Sequence, residues 1–284
     1  MTRSFVKMHG CGNDYIYFDC LKEMLESPES AAIALSDRHF GIGGDGIVLI
    51  CPSDCADVKM RMFNIDGSEG KMCGNAIRCV AKYVYDSGIV QRKAMTVETL
   101  SGIKKLEVFI PPEETKVRTV RVDMGPASFL PQSIPVKLDG EAVIARKVTV
   151  GGELRQITCV SMGNPHAVIF LHEETDLEYF DVKGIGRSIE FDPLFPERVN
   201  VEFVKKLSEN TFQMRVWERG SGETWACGTG ACAVAAAAVK NGLCREGEEI
   251  TVKLRGGDLM IVYAQDKVTM SGGATEVFRG CVEL

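Results

Sequence analysis

Residues Lys71 to Cys79 read KMCGNAIRC, and residues Trp225 to Ala233 read WACGTGACA. Both stretches place Cys-Gly directly before an apolar run with helical spacing. The two cysteines, Cys73 and Cys227, lie 154 positions apart. At that displacement Met60-Arg61 falls on Met214-Arg215, Phe63 on Trp217, Glu69 on Glu223, Val80-Ala81 on Val234-Ala235 and Gly88 on Gly242. One position further, Thr96-Val97 meets Thr251-Val252 and Gly102 meets Gly257. Gly12-Asn13 before DYIYFD is matched by Gly163-Asn164 before PHAVIF. The matches keep one order, so the chain reads as two domains of like topology rather than a solenoid of short repeats.

Each half is mostly strand. The stretches YIYFD, DVKMRMFN, MTVETL and KKLEVFI in the first half are short, β-branched and partly alternating. In the second half CVSMGN, HAVIFL, VNVEFV, FQMRVWE, ITVKL and LMIVYA do the same. One long helix follows each Cys-Gly, ended by Gly88 in the first half and by Asn241-Gly242 in the second. A third helix is expected from Ser27-Pro28, with Ser27 as cap, to Gly41. The fold class is therefore α+β, with two pseudo-symmetric domains, each an antiparallel sheet rolled around a central helix. We place the first domain at residues 1–124, completed by 273–284, and the second at 125–272. The linker is placed around Gly125 to Gly140, where Pro126, Pro131 and Pro135 cluster.

Composition narrows the function. The chain has 284 residues, a net charge of −6 and no basic stretch, so nucleic acid is not an expected partner. The longest apolar run, Ala231 to Val239, falls short of the roughly 20 residues a membrane helix needs. The first residues lack the apolar core of a signal peptide, and a cytoplasmic location is expected. Eleven cysteines in such a chain suggest free thiols. Cys51 and Cys55 have metal-ligand spacing but no second pair, so no metal is expected. Cys79, Cys232 and Cys244 are expected to be small apolar packers. The loop GIGGDG, Gly41 to Gly46, lacks the Lys-Ser/Thr of a P-loop and the strand context of a dinucleotide fold.

The duplicated turn carries the chemistry. The first N–H groups of a helix lack internal partners and, with the helix dipole, favour an anion. The same field favours a thiolate at the cysteine. Gly74 and Gly228 let a ligand approach the backbone. One thiolate and one thiol from two equivalent turns would supply the base and the acid that invert a carbon centre. The N–H groups would stabilise the carbanion as it spreads onto a carboxylate. No cofactor is needed for that scheme. These residues alone leave three readings open: a cofactor-independent amino-acid racemase or epimerase, buried structural cysteines, or a disulfide-exchange pair.

Six motifs, KMHGCGNDY, GIGGDG, FNIDGSEGKMCGNAIRC, VSMGNPHAV, VNVEFV and VWERGSGETWACGTGACA, make the sequence closely resemble diaminopimelate epimerase nearly end to end. The resemblance implies two like domains with the active site between them, a homodimer, and interconversion of LL- and meso-diaminopimelate on the route to lysine and peptidoglycan. It implies Cys73 and Cys227 as acid and base. It implies substrate contacts from Asn13, Asn64, Asn164 and Asn200, from Glu218 and Arg219, and from the carboxylate-binding backbone of Gly74-Asn75 and Gly228-Thr229. His166 and Glu218 are implied to assist proton transfer. Two departures stand out: Gly46, where some members have Gln, and Phe278, where many have Tyr. Proline or hydroxyproline racemase is the nearest rival enzyme, and a non-catalytic thiol-redox protein is the rival from another class. The asparagines and Arg219 suit a second amino-carboxylate better than a cyclic imino acid, and a redox protein would need Cys-x-x-Cys.

Overall fold

The computed structural model describes residues 2–284. The chain divides into two units, Met1–Asp123 with Ser271–Leu284, and Met124–Met270.

The first unit runs β1 (Thr2–Gly10), β2 (Asn13–Asp19), α1 (Pro28–Ser36), β3 (Gly46–Cys51), β4 (Val58–Asn64), β5 (Glu69–Gly70), α2 (Gly74–Asp86), β6 (Ala94–Thr99), β7 (Gly102–Phe109) and β8 (Thr119–Pro126). The second runs β9 (Arg146–Val150), β10 (Glu153–Ser161), β11 (Pro165–Phe170), α3 (Val182–Glu190), β12 (Asn200–Ser208), β13 (Thr211–Glu218), β14 (Gly222–Thr224), α4 (Gly228–Lys240), β15 (Glu249–Leu254), β16 (Gly257–Ala264) and β17 (Lys267–Gly273). The last strand, β18 (Thr275–Glu283), pairs antiparallel with β1, so the end of the chain closes the first unit.

The sheets are mixed, which corrects the expectation of purely antiparallel ones. β2 pairs parallel with β3, and β4 with β6. In the second unit β11 pairs parallel with β12, and β13 with β15. Each parallel step is spanned by a helix: α1, α2, α3 and α4 in turn. A parallel connection has to cross the sheet, and a helix is the usual way to do it.

The helices divide between the two faces of each sheet. The 13-residue α2 packs on β1, β2, β6 and β7, and α4 on β10, β11, β12, β15 and β16. Both are buried along most of their length. The shorter α1 packs on β3 and β4, and α3 on β12 and β13. β3 is therefore covered on both faces, and every residue of GIVLIC is buried. Ile47, Leu49 and Cys51 join Ala31, Ala32 and Leu35 of α1 in one core cluster. Phe203, Val201 and Ile189 belong to the corresponding cluster beneath α3.

Three local expectations are corrected. α1 starts at Pro28 as its sequence suggests, but Ser27 is left-handed (φ 45°) and its side chain caps nothing. The helix stops at Ser36, and Gly41 instead closes a turn through its N–H to Asp37 O. Cys79 and Cys232 are core residues, whereas Cys244 is half-exposed and its thiol reaches Glu209 O. Among the described residues none of the eleven cysteines is joined in a disulfide.

Candidate active site

Each unit carries its Cys-Gly turn at the start of its central helix. Cys73 is the N-cap of α2 and Cys227 the N-cap of α4, both with extended backbone. A short hairpin feeds each turn. Glu69 pairs both oxygens with Arg61 at 2.7 and 3.0 Å, and Glu223 does the same with Arg215 at the same two distances. The equivalent glutamates therefore anchor β5 to β4 and β14 to β13 instead of lying free in solvent.

In the first unit the Cys73 thiol donates to Asn13 Oδ1 at 3.3 Å. Asn75 Nδ2 reaches the same oxygen at 3.4 Å. Asn13 Nδ2 donates to Asp45 Oδ2 at 2.6 Å, which fixes which end of the amide faces the thiol. Arg78 is fully buried; it donates to Asn75 Oδ1 at 2.9 Å and to Gly74 O at 3.0 Å. Arg78 was missed in the sequence, although a charged residue on the apolar side of KMCGNAIRC was a visible signal. Asn64 stands at the end of β4, and its Nδ2 is held by Ser68 Oγ at 3.0 Å. Gly46 has no room for a side chain, because a Cβ there would lie 2.0 Å from Phe63 O.

In the second unit Cys227 Sγ accepts from Gly230 N at 3.4 Å and lies 3.5 Å from Thr229 Oγ1. Asn164 Nδ2 donates to Thr229 Oγ1 at 3.3 Å, and Asn164 Oδ1 meets His166 Nε2 at 3.0 Å. His166 Nδ1 in turn lies 2.6 Å from Glu202 Oε1. Asn200 holds backbone on both sides, donating to Pro165 O at 2.8 Å and accepting from Arg219 N at 2.9 Å. The Arg219 guanidinium donates to Glu197 O at 3.0 Å. Glu190, at the end of α3, accepts from Trp217 Nε1 and Gly220 N and so steadies the turn bearing Glu218 and Arg219.

Glu218 accepts from Thr224 Oγ1 at 2.5 Å, and its carboxylate charge acts on the Cys227 thiol. Burial raises the Glu218 carboxyl above its ordinary value, with the Thr224 hydroxyl and the Cys227 thiol acting against it. Cys227 does not become the ready thiolate that its helix position suggested. Burial, and then the carboxylates of Glu218 and Glu202, push its pKa well above 9.0. The helix N-terminus and the Thr229 bond do not overcome that. The Cys227 proton therefore needs a neighbouring base, and Glu218 is the carboxylate that acts on the thiol most strongly.

Among the described residues no three His, Cys, Asp or Glu side chains group as a metal site. No helix is long and apolar enough to cross a membrane.

The diaminopimelate epimerase family model matches residues 5–130 and 158–277. The chain is 52% identical over 282 residues to the diaminopimelate epimerase of Acetivibrio thermocellus, covering 99% of this chain and 98% of that one. It is 51% identical to the one from Methanococcus maripaludis, with 99% of each chain covered. Solved structures of similar fold include a Bacillus anthracis phenazine biosynthesis protein of the PhzF family (TM-score 0.71, 16% identity, all of both chains). A probable proline racemase from Agrobacterium radiobacter is another (TM-score 0.73, 16% identity, 99% of this chain and 93% of that one).

Proposed function

This chain belongs to the diaminopimelate epimerase family, and on that premise we propose that it interconverts LL- and meso-2,6-diaminopimelate. One thiolate removes the α-proton and the opposite thiol delivers a proton to the other face. Cys73 and Cys227 fill these two roles and exchange them in the reverse direction. The N–H groups of Gly74-Asn75 and Gly228-Thr229 receive the α-carboxylate and the charge that spreads onto it. Arg219 and the asparagines hold the distal amino-carboxylate. The scheme calls for no cofactor. A homodimer and a cytoplasmic location complete the proposal.

The observation that carries this reading is the repeated cap: a cysteine at the N-terminus of each central helix, each beside an asparagine cluster. A proline-type racemase would bind a cyclic imino acid and would leave Arg219 without a carboxylate partner. The decisive measurement follows both stereocentres of diaminopimelate by proton NMR in heavy water. Cys227→Ala should abolish epimerisation yet leave slow α-hydrogen exchange for one epimer, and Cys73→Ala should leave it for the other. Near-normal epimerisation by either variant would remove the two-thiol mechanism.

A further inference from the structure

Asn13 meets the Cys73 thiol and its equivalent, Asn164, meets Thr229 next to Cys227, and each asparagine leads back to a carboxylate. In the first unit the route is Cys73 to Asn13 to Asp45, with steps of 3.3 and 2.6 Å. Asp45 Oδ2 also accepts from Asp14 N at 3.1 Å, and Oδ1 from Arg38 at 3.1 Å. In the second unit the route is longer: Cys227 to Thr229, Asn164, His166 and Glu202, with steps of 3.5, 3.3, 3.0 and 2.6 Å. Neither carboxylate touches a thiol in these routes; each sits at the far end of a hydrogen-bonded chain.

Glu202 is an unexpected residue where it stands. It lies in VNVEFV, between Val201 and Phe203, and is completely buried. The place displaced from it by 154 positions is Val48, an apolar core residue. Its Oε2 has no hydrogen-bond partner among the described residues. A buried carboxylate with an unmatched oxygen costs stability. Room for it depends on Gly230, where a Cβ would lie 2.8 Å from Glu202 Oε1 and 3.3 Å from Cys227 Sγ. The helix start of α4 is thus shaped to admit this oxygen next to His166.

We propose that Asp45 and Glu202 are positioning residues, one for each half-reaction. Asp45 orients Asn13 directly, and Glu202 orients Asn164 and Thr229 through the His166 ring. Asp45 can only accept from Asn13, so Asn13 presents its oxygen to Cys73. Glu202 holds Nδ1 of His166, so Nε2 faces Asn164, whose other end reaches the hydroxyl beside Cys227. The assignment rests on the two-thiol reading given above.

The test separates the halves. In a Cys73→Ala background only Cys227 can exchange the α-hydrogen of diaminopimelate, and in a Cys227→Ala background only Cys73 can. Glu202→Leu is expected to lower the saturated exchange rate about 10- to 100-fold in the first background, a part of what positioned acid–base groups contribute. It should change that rate less than about threefold in the second, since the loss belongs to one half. Asp45→Ala should give the reverse pattern. Glu202→Gln keeps an acceptor for Nδ1 and should recover most of the leucine loss. If the leucine variant does not fold, Glu202→Val, which places the Val48 side chain there, carries the same arm. Equal losses in both backgrounds, or none in either, would overturn the assignment while leaving two-thiol exchange intact. Absence of exchange from both backgrounds before either substitution is added would instead overturn the two-thiol reading.

Discussion

At the scale of single residues, the strongest effect is the environment of Cys227. Burial raises its thiol first, and the carboxylate of Glu218 adds to the rise. Replacing Glu218 with Gln removes a charge but leaves the burial. The thiol should then ionise at lower pH than in the parent protein, though still above the ordinary 9.0. Epimerisation should nonetheless fall by about 100-fold, because the neighbouring base is gone. Alkylation of Cys227 by iodoacetamide across a pH series, read by peptide mass spectrometry, gives the first quantity, and steady-state kinetics the second. An unchanged alkylation profile would show that Glu218 does not act on the thiol. Most of this neighbourhood was legible in the sequence: the two cysteines from the repeat, and the asparagines, Glu218 and Arg219 from the family motifs. The supporting residues Arg78, Asp45 and Glu202 were not singled out. A lone charge in an apolar stretch says that something must partner it, but the partner is chosen by the fold. His166 lies 36 positions from Glu202, and only the parallel pairing of β11 with β12 makes them neighbours.

Among the elements, the helices that begin at the Cys-Gly turns were readable because their apolar spacing and glycine stops are local signals. The crossover helix α3 was not, because VKGIGRSIE carries two glycines, which weaken any helix reading. The repeat itself held the information, since α1 displaced by 154 positions falls on α3. Packing explains the glycines. A Cβ at Gly186 would lie 2.5 Å from Trp217 Cβ, and one at Gly184 would lie 2.2 Å from Oδ2 of the capping carboxylate of Asp181. Helix propensity is given up so that α3 can lie against β13 and place Glu190 under the Glu218–Arg219 turn. Gly186→Ala should therefore destabilise the protein by about 1–3 kcal/mol despite its gain in propensity, because overpacking outweighs it. Thermal unfolding measures this, and a raised midpoint would show that α3 is free to move away. The parallel steps were missed for a related reason. Strand sequences reveal alternation, whereas pairing direction depends on what crosses between them.

Across the whole molecule, the net charge of −6 could be counted from the sequence, but not where the paired carboxylates sit. Ion pairs occur in both units, but the carboxyls that the fold holds below their ordinary values are concentrated in the first. Asp14 is pushed up by burial, but its bonds to Arg38 and Lys7 outweigh that and hold it below its ordinary 3.8. Asp57 is likewise lowered, its burial outweighed by Thr96 and then Arg92. Glu69 is lowered by Arg61, and Glu276 by Arg279. In the second unit Asp266 is lowered by Tyr263 and then Lys240, whereas Glu218 is raised by burial. The signs follow from linkage. A carboxyl whose pKa is lower when folded contributes stability above its unfolded value and loses it as pH falls through the folded value. A carboxyl whose pKa is higher when folded is penalised while ionised, and that penalty is relieved as pH falls through its raised value. Acid should therefore weaken the first unit more than the second, beginning as pH drops below the ordinary range of 3.8 to 4.5. Added salt should narrow the difference, since most of these pairs are partly exposed and screened. Hydrogen exchange with mass spectrometry, stepped from pH 5 downward and corrected for intrinsic rates, resolves the two. Protection should be lost first in β1 to β7 and β18, while β11 to β16 persist. Loss in the opposite order would mean that the ion pairs of the first unit contribute nothing to its stability.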